Sequence, residues 1–324
     1  MQAIQILKHG GADALTLQEL PTPTAGPKQA LIRIEASGIN FIDVYLREGR
    51  YPAPLPYTLG QEAAGIIVAL GEGTGASGFK VGDRVAWTLF PGTYAQLAVA
   101  PVDLLVHVPE SISSQQAAAA MLQGMTAHYL AHSAYPIRRG DEVLIHAGAG
   151  GVGLLLTQMA KALGARVFTT VSNEEKAGLS RAAGADEVIL YTQEDFAESV
   201  KKRGSGPGLH AVYDSVGKTA FDKSLSVLRP CGMMVLFGAS SGAVPPFDPM
   251  CLAQMGSLFL TRPTLKDYIR TREELEQRAG EVFRWIADGT LKLRIEHVYP
   301  LSDAAHAHED LEARKTTGKL LLIP

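Results

Sequence analysis

One six-residue segment has the spacing of a phosphate-binding turn. Residues 148–153 are Gly-Ala-Gly-Gly-Val-Gly, which fits the pattern G-x-G-x-x-G. An apolar strand is predicted before this segment, at Glu142–Ala147, and a helix after it, at Val152–Leu163, which is the context the pattern requires. Glycines at these positions permit a tight turn, close approach to a pyrophosphate and close helix–strand packing. The free N–H groups at the helix start bind phosphate, so we predict a dinucleotide site.

The residues after the next predicted strand indicate which dinucleotide binds. That strand, Arg166–Val171, is followed by Ser172 and Asn173, whereas NAD sites usually carry Asp or Glu there to bind the ribose 2′-hydroxyl. Lys176 and Arg181 follow closely. A hydroxyl, an amide and a cation suit a 2′-phosphate, which a carboxylate would repel. The sequence therefore favours NADPH over NADH.

The elements around these residues alternate between strand and helix, which is typical of βαβ units and a doubly wound parallel sheet. Further strands are predicted at Glu187–Leu190, Leu209–Tyr213, Met233–Phe237 and Ser257–Leu260. Further helices are predicted from a capping box at Ser172–Glu175 and at Thr192–Lys202 and Lys218–Leu228.

The regions on either side have a different pattern. The first hundred residues are β-rich, with short apolar runs between Gly and Pro, and a helix is predicted at Ser113–Ser133. In the C-terminal part, helices are predicted at Arg272–Ala287 and Ser302–Leu311, and strands at Lys292–Val298 and Lys319–Ile323. We therefore expect a β-rich domain at 1–120, rejoined by 266–324, and a dinucleotide-binding domain at 121–265.

Composition excludes several classes of protein. The 324 residues are 46% hydrophobic and 19% charged, which excludes a disordered chain. The net charge of −3 makes nucleic acid an improbable partner. Two cysteines cannot form a disulfide scaffold or a four-cysteine zinc lobe, and no signal peptide or membrane-spanning stretch is predicted. We expect a cytoplasmic protein. No Tyr is followed four residues later by Lys, so a short-chain reductase is excluded.

Three segments resemble the zinc-ligand segments of the medium-chain zinc alcohol dehydrogenases, but each carries an amide at the ligand position. Asn40 stands in place of the first Cys, Gln61 in place of the His, and Gln123 in place of the third ligand. Neutral amides are weak zinc ligands compared with thiolate and imidazole. We therefore predict no metal, and no Lewis acid to polarise an alcoholate.

Together these pieces resemble the zinc-free medium-chain reductases, most closely the quinone oxidoreductases of the zeta-crystallin type. The segments that carry the resemblance are 38–43, 59–62, 81–85, 146–153, 212–217, 261–265 and 320–324, with Gln158 and Lys161. One departure is Gly148, where the family usually has Ala or Ser, and we expect it to change little. The resemblance implies an α/β protein with a GroES-like β-rich domain, a Rossmann domain and NADPH in the cleft.

The resemblance also implies the contacts of each part of the cofactor. The nicotinamide half would meet Phe41, Ile42, Asp43, Val44, Tyr45, Tyr129, Thr264 and Leu265. The pyrophosphate would lie on Gly150, Gly151 and Val152. The 2′-phosphate would lie among Ser172, Asn173, Lys176 and Tyr191. The remaining cofactor contacts would be Ser215, Phe237, Gly238, Ser240 and Arg314.

Candidates for orienting the substrate are Asn40, Tyr45, Tyr51 and Arg262, and Tyr51 is equally well explained as a packing aromatic beside Pro52. The expected activity is NADPH-dependent reduction of a quinone, by hydride or electron transfer. The alternatives are an enone or alkenal reductase and a non-catalytic NADPH-binding protein of a crystallin or RNA-binding kind. Apolar strands late in the Rossmann part predict an exposed sheet edge and hence a homodimer.

Overall fold

The computed structural model describes every residue from Met1 to Pro324, and the contacts among them form two compact units. Unit 1 comprises Met1–Met125 and Ile269–Pro324, and unit 2 comprises Thr126–Tyr268. No helix in either unit combines the length and the apolar character needed to span a bilayer.

The first part of unit 1 consists mostly of strands, as the Gly and Pro punctuation predicts. They are β1 (Gln2–Ile6), β2 (Leu15–Glu19), β3 (Gln29–Ile39), β4 (Tyr57–Thr58), β5 (Glu62–Leu70), β6 (Arg84–Thr88), β7 (Leu97–Pro101) and β8 (Val106–His107). A short helix that the sequence analysis missed, α1 (Phe41–Arg47), follows β3. The long predicted helix is α2 (Ser114–Tyr129), and its last predicted turn is a π-helical turn at Leu130–Ala134.

Unit 2 alternates strictly between strand and helix after its first strand. Its elements are β9 (Glu142–Ile145), α3 (Gly151–Ala162), β10 (Arg166–Val171), α4 (Glu174–Ala182), β11 (Glu187–Leu190), α5 (Phe196–Arg203), β12 (Leu209–Asp214), α6 (Phe221–Ser226), β13 (Leu228–Leu236), α7 (Met250–Gln254) and β14 (Phe259–Thr261). All neighbouring strands are parallel, in the order β11-β10-β9-β12-β13-β14. Every residue of β9 is buried, as expected at the centre of such a sheet. The doubly wound fold is confirmed.

The C-terminal segment completes unit 1. It contains α8 (Arg272–Ala287), β15 (Ile295–Pro300), α9 (Ala304–Glu312) and β16 (Lys319–Ile323). Strand β16 pairs in parallel with β15 and antiparallel with β3, within a sheet ordered β15-β16-β3-β5-β6-β8. Strand β7 also pairs with β3, and a smaller sheet has the order β2-β1-β4.

Three predicted helix starts in unit 2 are wrong, because other residues cap α4 and α5 and because α6 begins later, without a side-chain cap. The N-cap of α4 is Asn173, whose side chain accepts the N–H of Lys176, and the carbonyl of Ser172 accepts the hydroxyl of Thr192 instead. Helix α5 starts after Asp195, which accepts two backbone N–H groups. Helix α6 is shorter than predicted at both ends, because the turn before it is held by Asp214 and the residue after it, Val227, is followed by the start of β13.

Candidate functional site

The glycine-rich turn joins β9 to α3 at the carboxyl edge of the parallel sheet in unit 2. Gly150 is the extended N-cap of α3, and the first helical hydrogen bond runs from Leu154 N to Gly150 O, 2.9 Å. The backbone N–H groups of Gly151, Val152 and Gly153 therefore have no acceptor within the helix. They are available, with the helix dipole, to a pyrophosphate.

Two of the glycines have no room for a side chain. A Cβ on Gly153 would lie 2.2 Å from the carbonyl oxygen of Ala147, which is part of the turn itself. A Cβ on Gly148 would lie 2.6 Å from Thr169 Cβ and 2.9 Å from Ser180 Oγ. In this chain the hydrogen-bonded pair of Thr169 and Ser180 fills the space that an alanine methyl at position 148 would take. This compact turn fits a dinucleotide.

The predicted 2′-phosphate residues lie together where β10 and β11 end. The backbone N–H of Tyr191 donates to Val171 O, 3.2 Å, which places Tyr191 beside Ser172 on the neighbouring strand. The Asn173 oxygen is occupied by the helix cap, so the amide NH₂ is the group that Asn173 can offer a phosphate. The first carboxylates after β10 are Glu174, which is paired with Arg181, and Glu175, so neither Ser172 nor Asn173 adds a negative charge at this edge.

The strand order of unit 2 reverses between β9 and β12, and ligands bind such sheets at that point. After β13, the N–H groups of Phe237 and Gly238 donate to Asp214 O, at 2.8 and 3.2 Å, and the N–H of Ser240 donates to Ser215 O, 3.1 Å. The structure thus brings the predicted set Ser215, Phe237, Gly238 and Ser240 together at one edge.

The other predicted residues of unit 2 lie near its ends. Tyr129 is buried and its ring stacks on Tyr268, with centroids 4.3 Å apart. Burial raises the pKa of Tyr129 well above its usual value, while Arg262 lowers it. Thr264 and Leu265 follow β14, and Leu265 is buried.

Unit 1 contains a buried polar cluster around Asn40, the residue before α1. The Asn40 amide nitrogen donates to Glu62 Oε1, 2.6 Å, and its oxygen accepts from Gln123 Nε2, 3.2 Å, and Lys319 Nζ, 2.9 Å. Lys319 also donates to Glu62 Oε1 and to the carbonyl of Ile39. Glu62 and Lys319 are buried charges that the sequence analysis missed. The one available signal was a single lysine opening the apolar run Lys319–Ile323.

The three amides at positions that resemble zinc ligands have different hydrogen-bond partners. Gln123 bonds to Asn40, whereas Gln61 donates to the hydroxyl of Tyr57, 3.0 Å. No group of three or more His, Cys, Asp or Glu side chains in the structure could hold a metal ion.

A second buried chain of hydrogen bonds anchors α1. Asp43 Oδ2 accepts the N–H of Asn40, 2.8 Å, and the hydroxyl of Tyr94, 3.1 Å. The Tyr94 hydroxyl also contacts His308 Nε2, 3.1 Å, and His308 Nδ1 contacts Arg47, which is paired with Glu312. Burial raises the pKa of Asp43 to about 7, and burial next to Arg47 lowers the pKa of His308 to about 3.

The predicted nicotinamide contacts on α1 differ in how far their side chains are exposed. The side chains of Asp43 and Val44 are buried, and Phe41 and Ile42 are partly exposed. Tyr45 packs edge-on against Tyr51, with centroids 5.4 Å apart, and Arg50 lies over the Tyr45 ring. Tyr51 is 39% exposed, so it packs against Tyr45 while part of it remains open to solvent.

Arg314 lies in an exposed turn after α9 with φ of 58°.

Comparison with known proteins gives full-length similarity. Residues 26–110 match the alcohol dehydrogenase GroES-like domain, and residues 151–287 match the zinc-binding dehydrogenase domain. The chain is 44% identical over 323 residues to a quinone oxidoreductase of Pseudomonas aeruginosa, covering 99% of both. It is 39% identical over 333 residues to a 2-haloacrylate reductase of a Burkholderia species, covering 100% of this chain and 99% of the relative. The crystal structure of Escherichia coli quinone oxidoreductase complexed with NADPH superposes with a TM-score of 0.97, at 43% identity and full coverage of both chains.

Proposed function

The chain belongs to the medium-chain dehydrogenase/reductase family, among the quinone oxidoreductases, and from this we propose that it reduces quinones with NADPH and without a metal. The observation that carries the proposal is the edge at the ends of β10 and β11. There Ser172, Asn173, Lys176 and Tyr191 lie together, and neither of the two residues that follow β10 carries a carboxylate. The structural relative complexed with NADPH supports the same cofactor.

The residues of unit 2 hold the cofactor in this proposal. The N–H groups at the start of α3 bind the pyrophosphate, Lys176 pairs with the charge of the 2′-phosphate, and the Asn173 amide donates a hydrogen bond to it. Bound NADPH supplies the hydride. In unit 1 the second side-chain N–H of Asn40 and the hydroxyl of Tyr45 are the groups proposed to donate hydrogen bonds to the carbonyl oxygen of the quinone. A quinone needs orientation and modest polarisation only, and water supplies the proton that completes the hydroquinone.

The reaction is tested by following NADPH oxidation at 340 nm with 1,2-quinones, with 1,4-quinones, with enones and with no acceptor. We expect fast turnover with quinones and the same rate after treatment with a chelator, since amides occupy the ligand-like positions. Because one relative is a 2-haloacrylate reductase, reduction of an enone is the second candidate activity. Turnover confined to enones would replace quinones as the substrate class. A protein that binds NADPH and oxidises none with any acceptor, or one that needs a bound zinc, would reject the proposal.

Cofactor choice depends on Lys176. Lys176→Ala is expected to weaken NADPH binding by about 10- to 100-fold, the scale of about 1.5–3 kcal/mol for a hydrogen bond to a charged group. NADH binding should change little, and both affinities are measured by titration of cofactor fluorescence. Lys201→Ala is the matched control, because Lys201 is an exposed lysine on α5 paired with Glu198. Equal losses for NADPH and NADH in Lys176→Ala would contradict the role.

We also propose a homodimer formed through β14, in the reducing cytoplasm that its two free cysteines suit. Strand β14 pairs only with β13 and is the edge of the sheet, with Phe259 56% exposed. Other exposed apolar side chains from the preceding segment are Phe247, Met250 and Met255. Pairing two edges across a two-fold axis would cover both.

The dimer is tested by light scattering at micromolar concentration. The wild-type mass should equal two chains, and Phe259→Lys should lower it toward one, because a charge on an edge strand opposes pairing. Val298→Lys is the matched control, since Val298 is an exposed residue on the edge strand β15 of unit 1. A wild-type mass of one chain, or a Phe259→Lys variant that stays at two, would exclude this interface.

A further inference from the structure

Lys319 is a charged side chain in an otherwise apolar strand, and only 2% of it is exposed. Its ammonium group donates to three oxygens, Glu62 Oε1, Asn40 Oδ1 at 2.9 Å and Ile39 O at 3.1 Å. These bonds use all three of its N–H groups. The carboxylate of Glu62 is also fully buried, so the two charges compensate each other. A buried ion pair adds little stability over an apolar pair of similar volume, so stability alone does not explain it.

The ammonium fixes the orientation of the Asn40 amide. An ammonium can only donate, so the Asn40 atom facing it is the oxygen, and Gln123 Nε2 donates to the same oxygen. The Asn40 nitrogen donates one hydrogen to Glu62 Oε1, and the second carboxylate oxygen of Glu62 accepts the N–H of Leu122, 2.6 Å. On the Asn40 amide, the second N–H of the nitrogen is the group that these hydrogen bonds leave unused.

A cation that donates to the oxygen of an amide withdraws charge from it and makes its N–H a stronger donor. Asn40 stands at a position that resembles a zinc ligand, and the Lys319 ammonium lies at its amide oxygen while the Glu62 carboxylate accepts from its nitrogen. We propose that Lys319 is a positioning residue that orients and polarises the Asn40 amide, whose remaining N–H then donates to the carbonyl oxygen of the acceptor. This inference rests on the proposed function, since it assigns the donor used in that reaction.

The test separates folding from polarisation. Lys319→Met leaves Glu62 buried without its cation, and Glu62→Gln leaves Lys319 without its anion, so each single variant should melt at a lower temperature. The double variant Lys319→Met/Glu62→Gln has no buried charge left unpaired. It should melt close to wild type and bind NADPH within about twofold of wild type.

Activity of the double variant is measured as kcat/KM on a series of 1,4-quinones of graded reduction potential. We expect a loss of about 10- to 100-fold for the weakest electrophile, which is smaller than the roughly 100- to 1,000-fold loss for removing a donor outright because the Asn40 N–H itself remains. The loss for the strongest electrophile should be a few-fold, so log kcat/KM should depend more steeply on reduction potential. In an Asn40→Ala background the same pair of changes should alter kcat/KM less than about twofold, because the amide through which Lys319 acts is gone.

Two outcomes would overturn the role of Lys319. One is a double variant with wild-type kcat/KM throughout the series, and the other is a uniform loss with an unchanged slope. If the wild-type protein oxidises no NADPH with any quinone, the proposed function is rejected rather than the role of Lys319. This measurement is made before any variant is prepared. If wild type acts on enones only, the same slope comparison applies to enones, because their reduction also charges a carbonyl oxygen.

Discussion

Gly153→Val is expected to raise the Kd for NADPH by at least about 100-fold, because it removes the geometry of the phosphate-binding turn. A Cβ at this position would lie 2.2 Å from the carbonyl oxygen of Ala147 and 3.1 Å from Gly148 Cα, which are backbone atoms of the turn. They cannot move without displacing the N–H groups at the start of α3. Two hydrogen bonds to phosphate at about 1.5–3 kcal/mol each account for a loss of this size.

The measurement is a titration of NADPH fluorescence together with a thermal melt. Gly178→Ala is the matched control, because Gly178 is also helical, lies in the same unit and has no atom within 4 Å of its Cβ position. That variant should bind NADPH as wild type does and melt at the same or a slightly higher temperature. If Gly153→Val bound NADPH with wild-type affinity, the turn would not be the pyrophosphate site.

The second large effect concerns Asp43 and His308, whose pKa shifts give stability opposite dependences on pH. The pKa of Asp43 is about 7 in the fold against a usual 3.8, so the folded state binds the extra proton between these values. Asp43 therefore stabilises the fold in acid and loses that contribution as pH rises through 7. The pKa of His308 is about 3 against a usual 6.5, so its contribution is present above 6.5 and is lost as pH falls toward 3.

The two contributions oppose each other between about pH 4 and 6.5, and a variant of either residue should reveal the other. Relative to wild type, Asp43→Asn should lose stability more steeply as pH falls from 7 to 4, and His308→Gln less steeply. Each shift of about three pKa units corresponds to about 4 kcal/mol at its limit. Urea unfolding at several pH values measures the slopes. Three parallel curves would show that neither group titrates with a shifted pKa.

The groups that set these shifts belong to several elements packed against α1. Asp43 faces Lys319, which lowers its pKa, Glu62, which raises it, and the hydroxyl of Tyr94, which lowers it. His308 faces Arg47, itself paired with Glu312. Variants of these neighbours would disturb both titrations, so the comparison is limited to Asp43 and His308.

Much of the secondary structure could be predicted from local patterns in the sequence. The strand Arg166–Val171, the helix Arg272–Ala287 and the strand Lys319–Ile323 have the predicted bounds, because each is an uninterrupted periodic or apolar run between clear stop signals. The starts of α4 and α5 were decided by which side chain supplies the cap, and the start of α6 by the turn that Asp214 holds before it. Helix α1 was missed because seven residues make too short a period to recognise.

Some residues of the candidate site could likewise be predicted from the sequence, and others could not. The residues after β10 and β13 could be predicted, since strands of a parallel sheet end at one edge and their followers meet there. The partners of Asn40 could not, because Glu62, Gln123 and Lys319 are 22, 83 and 279 residues away from it. Nothing in the period or composition of a segment specifies a hydrogen bond over such separations.

The position of β16 between β15 and β3 has a consequence for synthesis on the ribosome. Strand β3 emerges about 280 residues before the lysine that donates to its last carbonyl. At 5–20 residues per second this interval is roughly 15 to 60 s. During it the end of β3 at Ser37–Ile39 lacks its partner strand and the Glu62 carboxylate has no counterion, so this part of the first sheet stays open to wrong partners. Unit 2 needs no residue beyond Tyr268 and can fold in that time. The nascent chain therefore completes its domains in the reverse of the order in which they begin, and chaperones that shield strand edges should act on its first hundred residues.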